Sequence, residues 1–97
     1  MAQMTGQYRV SGDNPDGSSY KGSAMIEKTG DTYKVTWIIG GERFIGTGIG
    51  SPEAIAVGYR SGSQTGIALI GKEGESYQVV WTYLNGRKLG SEKWTRE

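Results

Sequence analysis

The stretch that decides the fold occurs twice in this chain. Residues 22–46 are GSAMIEKTGDTYKVTWIIGGERFIG, and residues 66–90 are GIALIGKEGESYQVVWTYLNGRKLG. The two stretches align without a gap at a spacing of 44 positions, and ten of the 25 aligned residues are identical. This is far more identity than chance gives, so the chain is predicted to contain two copies of one structural unit.

The identities fall on alternate positions. They occupy 22, 24, 26 and 28 and then 33, 35 and 37 of the first copy. Alternate side chains of a strand share one face of a sheet, so a period of two predicts β-strands. The retained face carries Ala24, Ile26, Tyr33, Val35 and Trp37. We expect it to point inward, because the opposite face has diverged between the copies.

Turn residues separate the alternating runs. Gly30-Asp31 and Gly74-Glu75 are typical of tight hairpins, and Asn85-Gly86 is a strong hairpin dipeptide. Its counterpart in the first copy, Gly40-Gly41, is displaced by one residue. The pattern predicts eight strands at 5–11, 20–28, 32–39, 42–49, 54–60, 65–71, 76–83 and 87–95.

The connections between these strands are short, so neighbours in sequence should pair antiparallel. Eight such strands with one apolar face favour a closed up-and-down barrel, which also removes exposed edges. The predicted fold is therefore an all-β, eight-stranded antiparallel barrel of two four-stranded repeats, about 5–49 and 54–95, in one domain, 1–97. A flattened sandwich and a dimer with exchanged halves remain as alternatives.

Composition argues against several functions. The net charge is +1, with charges of both signs interspersed, which does not favour a nucleic-acid or acidic-membrane partner. The chain has no Cys and no His, so a nucleophilic triad and the commonest metal ligand are missing. Acidic residues cluster at predicted turns, where they are usually solvated: Asp13, Asp16, Asp31, Glu42, Glu53, Glu73 and Glu75. We expect no enzyme activity, no catalytic residues and no cofactor.

The loop around Asp13, Asn14 and Asp16 offers oxygen ligands of the kind that calcium takes. It lacks the EF-hand spacing, and these residue types are also ordinary turn formers. We therefore predict a turn and no metal site.

No apolar run approaches the roughly 18 residues that span a bilayer, so membrane insertion is not expected. Met1, Ala2, Gln3 and Met4 lack the apolar core of a signal peptide. Either a cytoplasmic protein or a mature exported domain fits this beginning.

Aromatic residues recur on the predicted inward face. A small-molecule carrier would use them as stacking surfaces, and the candidate ligand-binding residues are Tyr33, Trp37, Tyr77, Trp81 and Tyr83. A filled core, in which large rings supply volume, is the favoured interpretation, since eight strands enclose an interior just wide enough for side chains.

The diverged face is unusually apolar in the second copy, at Ile67, Leu69, Val80 and Leu84. Exposed apolar patches often mark interfaces. The first functional hypothesis is therefore a non-enzymatic interaction module that contacts a protein partner or a second copy of itself. A hydrolase inhibitor is a further alternative.

Five stretches of the chain resemble a family of small bacterial envelope proteins whose members are often labelled "fibronectin-binding protein". They are residues 14–18, 30–37, 44–50, 56–62 and 89–94. The resemblance implies a periplasmic or secreted location and brings no catalytic residue with it.

A looser resemblance, carried by Gly6-Gln7-Tyr8 at the start of the first strand, is to the calycins, the lipocalin-like and avidin-like barrels. It implies the same barrel architecture.

Overall fold

The computed structural model describes residues 4–97, so the part of the N-terminus at residues 1–3 lies outside the description. Eight strands form one closed antiparallel barrel in which each strand pairs with its neighbours in sequence and β8 returns to β1. The strands are β1 Gly6–Asp13, β2 Ser19–Thr29, β3 Thr32–Ile39, β4 Glu42–Ser51, β5 Ala54–Ser61, β6 Gln64–Glu73, β7 Ser76–Tyr83 and β8 Gly90–Arg96. The predicted up-and-down barrel is confirmed, and the sandwich alternative is wrong.

Alternation between buried and exposed residues runs along every strand. The five retained residues predicted to point inward, from Ala24 to Trp37, are all buried. They pack with the inward residues of the other strands into one core, which includes Val10, Ile55, Ile70 and Trp94. The repeated face of the sequence therefore builds the barrel interior.

The two repeats differ at their last hairpin. In the first, Gly40 and Gly41 take φ values of 59° and 83°, and Ile39 pairs with Glu42 directly across the turn. In the second, the turn has its corners at Leu84 and Asn85 (φ 64°), but the ladder between β7 and β8 begins at the rung between Trp81 and Gly90.

Strand β8 thus begins at Gly90, and its predicted start at residue 87 is wrong. The intervening chain is held by other bonds. The Gly86 N–H donates to the Tyr83 carbonyl at 2.7 Å, and the Thr82 hydroxyl donates to the Lys88 carbonyl at 3.0 Å. Because these groups bond to one another, residues 82–89 take no part in the ladder between β7 and β8.

The chain that follows this turn also changes the register. Trp37 lies opposite Phe44, whereas its repeat counterpart Trp81 lies opposite Gly90. The sequence alignment pairs Gly90 with Gly46 instead. The corners of the two turns, Gly40-Gly41 and Leu84-Asn85, are equivalent positions of the repeat, so the shift arises after the turn, where residues 86–89 lie outside the ladder. A shift of two residues keeps each side chain on its original face.

Larger side chains consequently enter the interior from β8 than from β4. Glu92 lies opposite Val79, at the place where Gly46 lies opposite Val35. Two residues further on, Trp94 projects into the same interior and is fully buried.

One end of the barrel is closed. Met4 is buried there, and its carbonyl accepts the Tyr8 hydroxyl at 2.5 Å. The Arg96 guanidinium donates to the Tyr8 hydroxyl at 2.9 Å and lies 4.9 Å from the centre of its ring. The opposite end, called the mouth below, carries the β1–β2, β3–β4, β5–β6 and β7–β8 connections. Among the described residues no helix is long and apolar enough to cross a membrane.

Candidate functional site at the barrel mouth

The mouth opens into a cavity of about 190 Å³. Its lining is mostly aromatic and contains two carboxylates. The lining residues are Asn14, Tyr20, Trp37, Ile39, Glu42, Phe44, Tyr59, Val79, Trp81, Tyr83 and Glu92.

Five of the rings form a connected chain around the cavity. Ring centroids are separated by 6.5 Å between Tyr20 and Trp81, 5.4 Å between Trp81 and Tyr83, 6.2 Å between Tyr83 and Tyr59, and 5.5 Å between Tyr59 and Trp37. Most of these pairs are steeply inclined, the arrangement that aromatic rings favour. We call this set of five rings the collar.

Glu92 closes the collar. Its side chain is 5% exposed, and one oxygen, Oε1, accepts the indole N–H groups of Trp37 at 3.1 Å and Trp94 at 2.7 Å. The other oxygen, Oε2, accepts the Tyr20 hydroxyl at 2.6 Å. Three donors directed at one carboxyl group are suited to an ionised, acceptor-only carboxylate. Glu92 therefore places a buried negative charge between the two ends of the chain of rings.

The collar hydroxyls hold their protons more strongly than a free tyrosine. Burial, and then the negative charge of Glu92, raise the pKa of Tyr20 well above its ordinary value of 10.0. Burial, followed by the neighbouring Tyr83, raises the pKa of Tyr59 in the same direction. The pKa of Tyr83 is also raised, by burial and by Glu42. The tyrosines are therefore neutral hydrogen-bonding groups near neutral pH.

The indole N–H of Trp81 stands apart from those of the other two tryptophans. Trp81 is 8% exposed, and its Nε1 is the buried polar side-chain atom without a hydrogen-bond partner among the described residues. The ring lies against the backbone of Gly90, where a Cβ atom would overlap it. A buried N–H without an acceptor destabilises the fold, so its presence at the mouth marks a place where packing is not optimised for stability alone.

Three of the five predicted ligand-binding residues, Trp37, Trp81 and Tyr83, line this cavity. The other two do not. Tyr77 packs edge-on against Tyr8 at 5.6 Å, in the core toward the closed end. Tyr33 lies beneath the ammonium group of Lys28, 5.0 Å from the ring centre. The aromatic set is thus divided between a filled core and a cavity.

Four further lining residues were not predicted from the sequence: Glu92, Tyr20, Tyr59 and Phe44. Glu92 could have been found, because it lies two residues before Trp94 and so shares its face on an alternating strand. Tyr59 follows Ile55 and Val57 in the same alternation. No local pattern marks Phe44 as part of a ring cluster, since its neighbours come from other strands.

A second feature lies on the outer surface, over β4 to β7. The ladder places Ile49, Ala56, Leu69 and Val80 side by side in one row across four strands. Ile67 lies in the adjacent row and is 65% exposed, and Leu69 is 52% exposed. These residues, with Leu89, line a shallow concavity that we call the outer patch.

Three of the four predicted interaction residues, Ile67, Leu69 and Val80, belong to the outer patch. The fourth, Leu84, is 72% exposed in the β7–β8 connection and is not among the residues that line the patch. Its backbone N–H donates to the Thr65 carbonyl at 2.8 Å, which ties the connection to β6.

The acidic β1–β2 loop uses its oxygens internally. The Asp16 carboxylate accepts the backbone N–H of Ser18 at 2.9 Å and its hydroxyl at 2.6 Å, and the pKa of Asp16 is lowered by these bonds, the hydroxyl first. Asp13 accepts the Ser19 hydroxyl at 3.0 Å. Within residues 4–97 no cluster of three acidic, His or Cys side chains could hold a metal ion.

Comparison with known proteins finds similarity in fold. No family model matches the chain, and no curated protein matches it. The comparisons therefore give no support to the fibronectin-binding label.

Two solved structures are similar along nearly the whole chain. One is a redesigned β-barrel with a TM-score of 0.75 and 19% identity, and the similarity covers 97% of this chain and 91% of that one. The other is a de novo designed fluorescence-activating β-barrel with a TM-score of 0.65 and 17% identity, covering 96% and 93% of the two chains. At this level of identity the likeness establishes the fold, which is a closed up-and-down barrel of eight strands.

Proposed function

We propose that this protein is a non-enzymatic binding module that holds a small molecule in the mouth cavity. The observation that supports the proposal most directly is a cavity of about 190 Å³ inside a collar of five aromatic rings. Ligand sites in proteins are concave and mostly apolar, with a few placed polar groups. Glu92 and the tyrosine hydroxyls supply such groups here.

The cavity sets the size of the ligand. An apolar cavity of about 150 Å³ accommodates benzene. The mouth, at about 190 Å³, is suited to a single ring with a short substituent. A probe of about eight heavy atoms that gains about 0.5–1 kcal/mol per atom, below the ceiling of about 1.5, should bind in the millimolar to micromolar range.

The test is calorimetric titration with benzyl alcohol on the wild type and on two variants of adjacent residues. Ile39 lines the cavity, so Ile39→Trp should fill it and abolish binding. Its neighbour Ile38 is exposed on the outer surface, so Ile38→Trp adds the same ring without reaching the cavity and should bind like the wild type. Equal binding to both variants would contradict the proposal, as would a wild type that binds neither benzyl alcohol nor a cationic ring of the same size.

Protein contact through the outer patch is a second candidate, and a second copy of this chain is the partner we propose. The supporting observation is the row of Ile49, Ala56, Leu69 and Val80 beside the exposed Ile67, a continuous apolar surface of the kind that marks interfaces. Charged residues are depleted from the core of such interfaces, and none of the residues that line the outer patch is charged.

Sedimentation over a wide concentration range tests this candidate. We expect a reversible dimer that Ile67→Lys abolishes, because a lysine would place an unpaired charge in the interface. Ser11→Lys, which adds the same charge at an exposed position of β1, should leave the dimer intact. A wild type that stays monomeric at all concentrations would exclude a second copy as the partner.

We also propose a periplasmic or secreted location, which rests on the family resemblance alone. Cell fractionation of a producing bacterium tests it, with recovery in the cytoplasm as the contrary result. A direct binding assay with purified fibronectin tests the family label separately.

A further inference from the structure

The charged residues that line the mouth cavity all have the same sign. Its lining contains two carboxylates, Glu92 and Glu42, and no Lys or Arg. Three basic residues follow turns at the mouth closely in the sequence: Arg43, Arg87 and Lys88. All three are exposed, and none lines the cavity. Among residues 4–97, the donors to the negatively charged Glu92 are neutral groups, the hydroxyl of Tyr20 and two indole N–H groups.

We infer that the mouth cavity selects small organic cations with a single aromatic or alkyl body, and this inference rests on the proposed small-molecule function. An ammonium group is attracted by the faces of aromatic rings, and more strongly when it is shielded from water. The collar presents Tyr20, Trp37, Tyr59, Trp81 and Tyr83 around one space. Glu92 joins the two ends of that chain, since it accepts hydrogen bonds from both Trp37 and Tyr20.

The Glu92 carboxylate can also accept a hydrogen bond from the ligand. An ionised carboxylate offers about four acceptor sites, and the protein donors occupy three of them. One site is left for an N–H of a bound ammonium group. The collar tyrosines are neutral near neutral pH, as ordinary tyrosines are, and their raised pKa values keep them neutral to higher pH. The attraction therefore comes from the carboxylates and the ring faces.

The same arrangement disfavours anions. A bound carboxylate would face Glu92 inside a partly enclosed cavity, where like charges repel more strongly than in bulk water. Glu42 adds negative charge at the rim, where its Oε2 accepts the Ser61 hydroxyl at 2.8 Å. Selection by charge is therefore the property that separates this cavity from a general apolar one.

The experiment uses three probes with the same ring and different charge: benzylammonium, benzyl alcohol and benzoate. Calorimetric titration of the wild type should give a dissociation constant about tenfold lower for benzylammonium than for benzyl alcohol, with no detectable binding of benzoate. Binding of benzyl alcohol with no preference for benzylammonium would overturn this inference and leave the proposed function standing. Failure of both neutral and cationic probes to bind would overturn both.

Variants that remove one carboxylate charge identify which residue causes the preference for benzylammonium. Glu92→Gln should bring the two dissociation constants together, and Glu42→Gln should reduce their ratio by a smaller factor. Glu53→Gln, at the exposed turn near the closed end, is the matched control and should keep the wild-type ratio. An unchanged ratio in Glu92→Gln would contradict the assigned role. If that variant does not fold, the ratio measured on the wild type still decides the inference.

Discussion

Trp37 and Trp81 are equivalent residues of the two repeats, but they do different things. Trp37 lies opposite Phe44 and donates its indole N–H to Glu92 at 3.1 Å. Trp81 lies opposite Gly90, packs on its backbone, and has no acceptor for its N–H among the described residues. The difference arises after the last turn, where residues 86–89 lie outside the ladder and β8 rejoins it two positions later than its counterpart β4.

This two-residue shift in register shows how a repeated sequence can produce an asymmetric interior. The inward face of β4 offers Gly46 and Gly48, whereas that of β8 offers Glu92 and Trp94 after Gly90. Because the shift is even, every inward residue stays inward while its opposite neighbour changes. The second arrangement places the Glu92 carboxylate opposite Val79, and the opposite side of the mouth cavity is lined by Trp37 and Phe44 of the first.

Removing the carboxylate should have the largest effect on stability. Glu92→Ala leaves the N–H groups of Trp37 and Trp94 and the Tyr20 hydroxyl without their acceptor, and we expect a loss of about 4 kcal/mol of unfolding free energy. Glu92→Gln keeps one acceptor and should lose about 2 kcal/mol. Urea denaturation measures both. Glu53→Ala, at an exposed turn, should stay within about 0.5 kcal/mol of the wild type, and an equal loss in Glu92→Ala and Glu53→Ala would contradict the assigned role.

Adding one methyl group at Gly90, beside the Trp81 ring, should have the next largest effect on stability. Gly90→Ala places a Cβ where the Trp81 ring now lies, so the ring must move, at a cost of about 3 kcal/mol. Gly58→Ala on β5 has open space around the new Cβ and should gain up to about 0.5 kcal/mol. Thermal and urea unfolding of the pair check this. Equal stability of the two variants would show that Trp81 does not occupy this position.

Exchanging the two tryptophans for phenylalanine isolates their different hydrogen bonding. Both Trp37→Phe and Trp81→Phe lose ring area, but Trp37→Phe alone removes a donor to a buried carboxylate. We expect Trp37→Phe to be about 1.5 kcal/mol more destabilising than Trp81→Phe. Matched denaturation curves measure the difference, and the reverse order would mean that the Trp81 N–H is the better-bonded group.

The last expected effect is on alkaline stability, and it compares the mouth with the closed end. Burial raises the pKa of Tyr8 to about 12, opposed in part by Arg96, and the pKa values of Tyr20 and Tyr59 are raised as well. A raised pKa stabilises the folded state fully below the unfolded value of about 10, and this contribution is lost as the pH rises from 10 toward the folded value.

Urea midpoints measured between pH 8 and about pH 11.5 should therefore fall above pH 10. Tyr20→Phe at the mouth and Tyr8→Phe at the closed end should each make the decline less steep, because each removes one of the groups responsible. A midpoint that does not change across this range would contradict the raised pKa values.

The fold could be predicted from the sequence because its signals are local and repeated. Alternation over residues such as Ala24, Ile26 and Val35 identified the inward face, and Gly and Asn at the turns identified the hairpins. The start of β8 could not be predicted in the same way. It depends on bonds between Thr82 and Lys88 and on which residue lies opposite Trp81, which are properties of the folded chain.

The candidate site was only partly predictable for the same reason. Trp37, Trp81 and Tyr83 were identified by type and face, but their grouping at the mouth is set by cross-strand register. Tyr77, of the same type and face, lies in the filled core instead. Glu92 was missed because acidic residues are usually solvated, and its burial depends on three donors that come from β2, β3 and β8 itself.

The most direct test of the mouth as the functional site is a nuclear magnetic resonance titration of the ¹⁵N-labelled wild type with benzylammonium. Saturable shifts should be confined to backbone amides around the collar, at Trp37, Trp81 and Glu92, while those of Tyr8 and Tyr77 stay in place. Shifts at Ile67 and Leu69 on the outer patch with none at the collar, or no saturable shift anywhere, would contradict the assignment of function to the mouth.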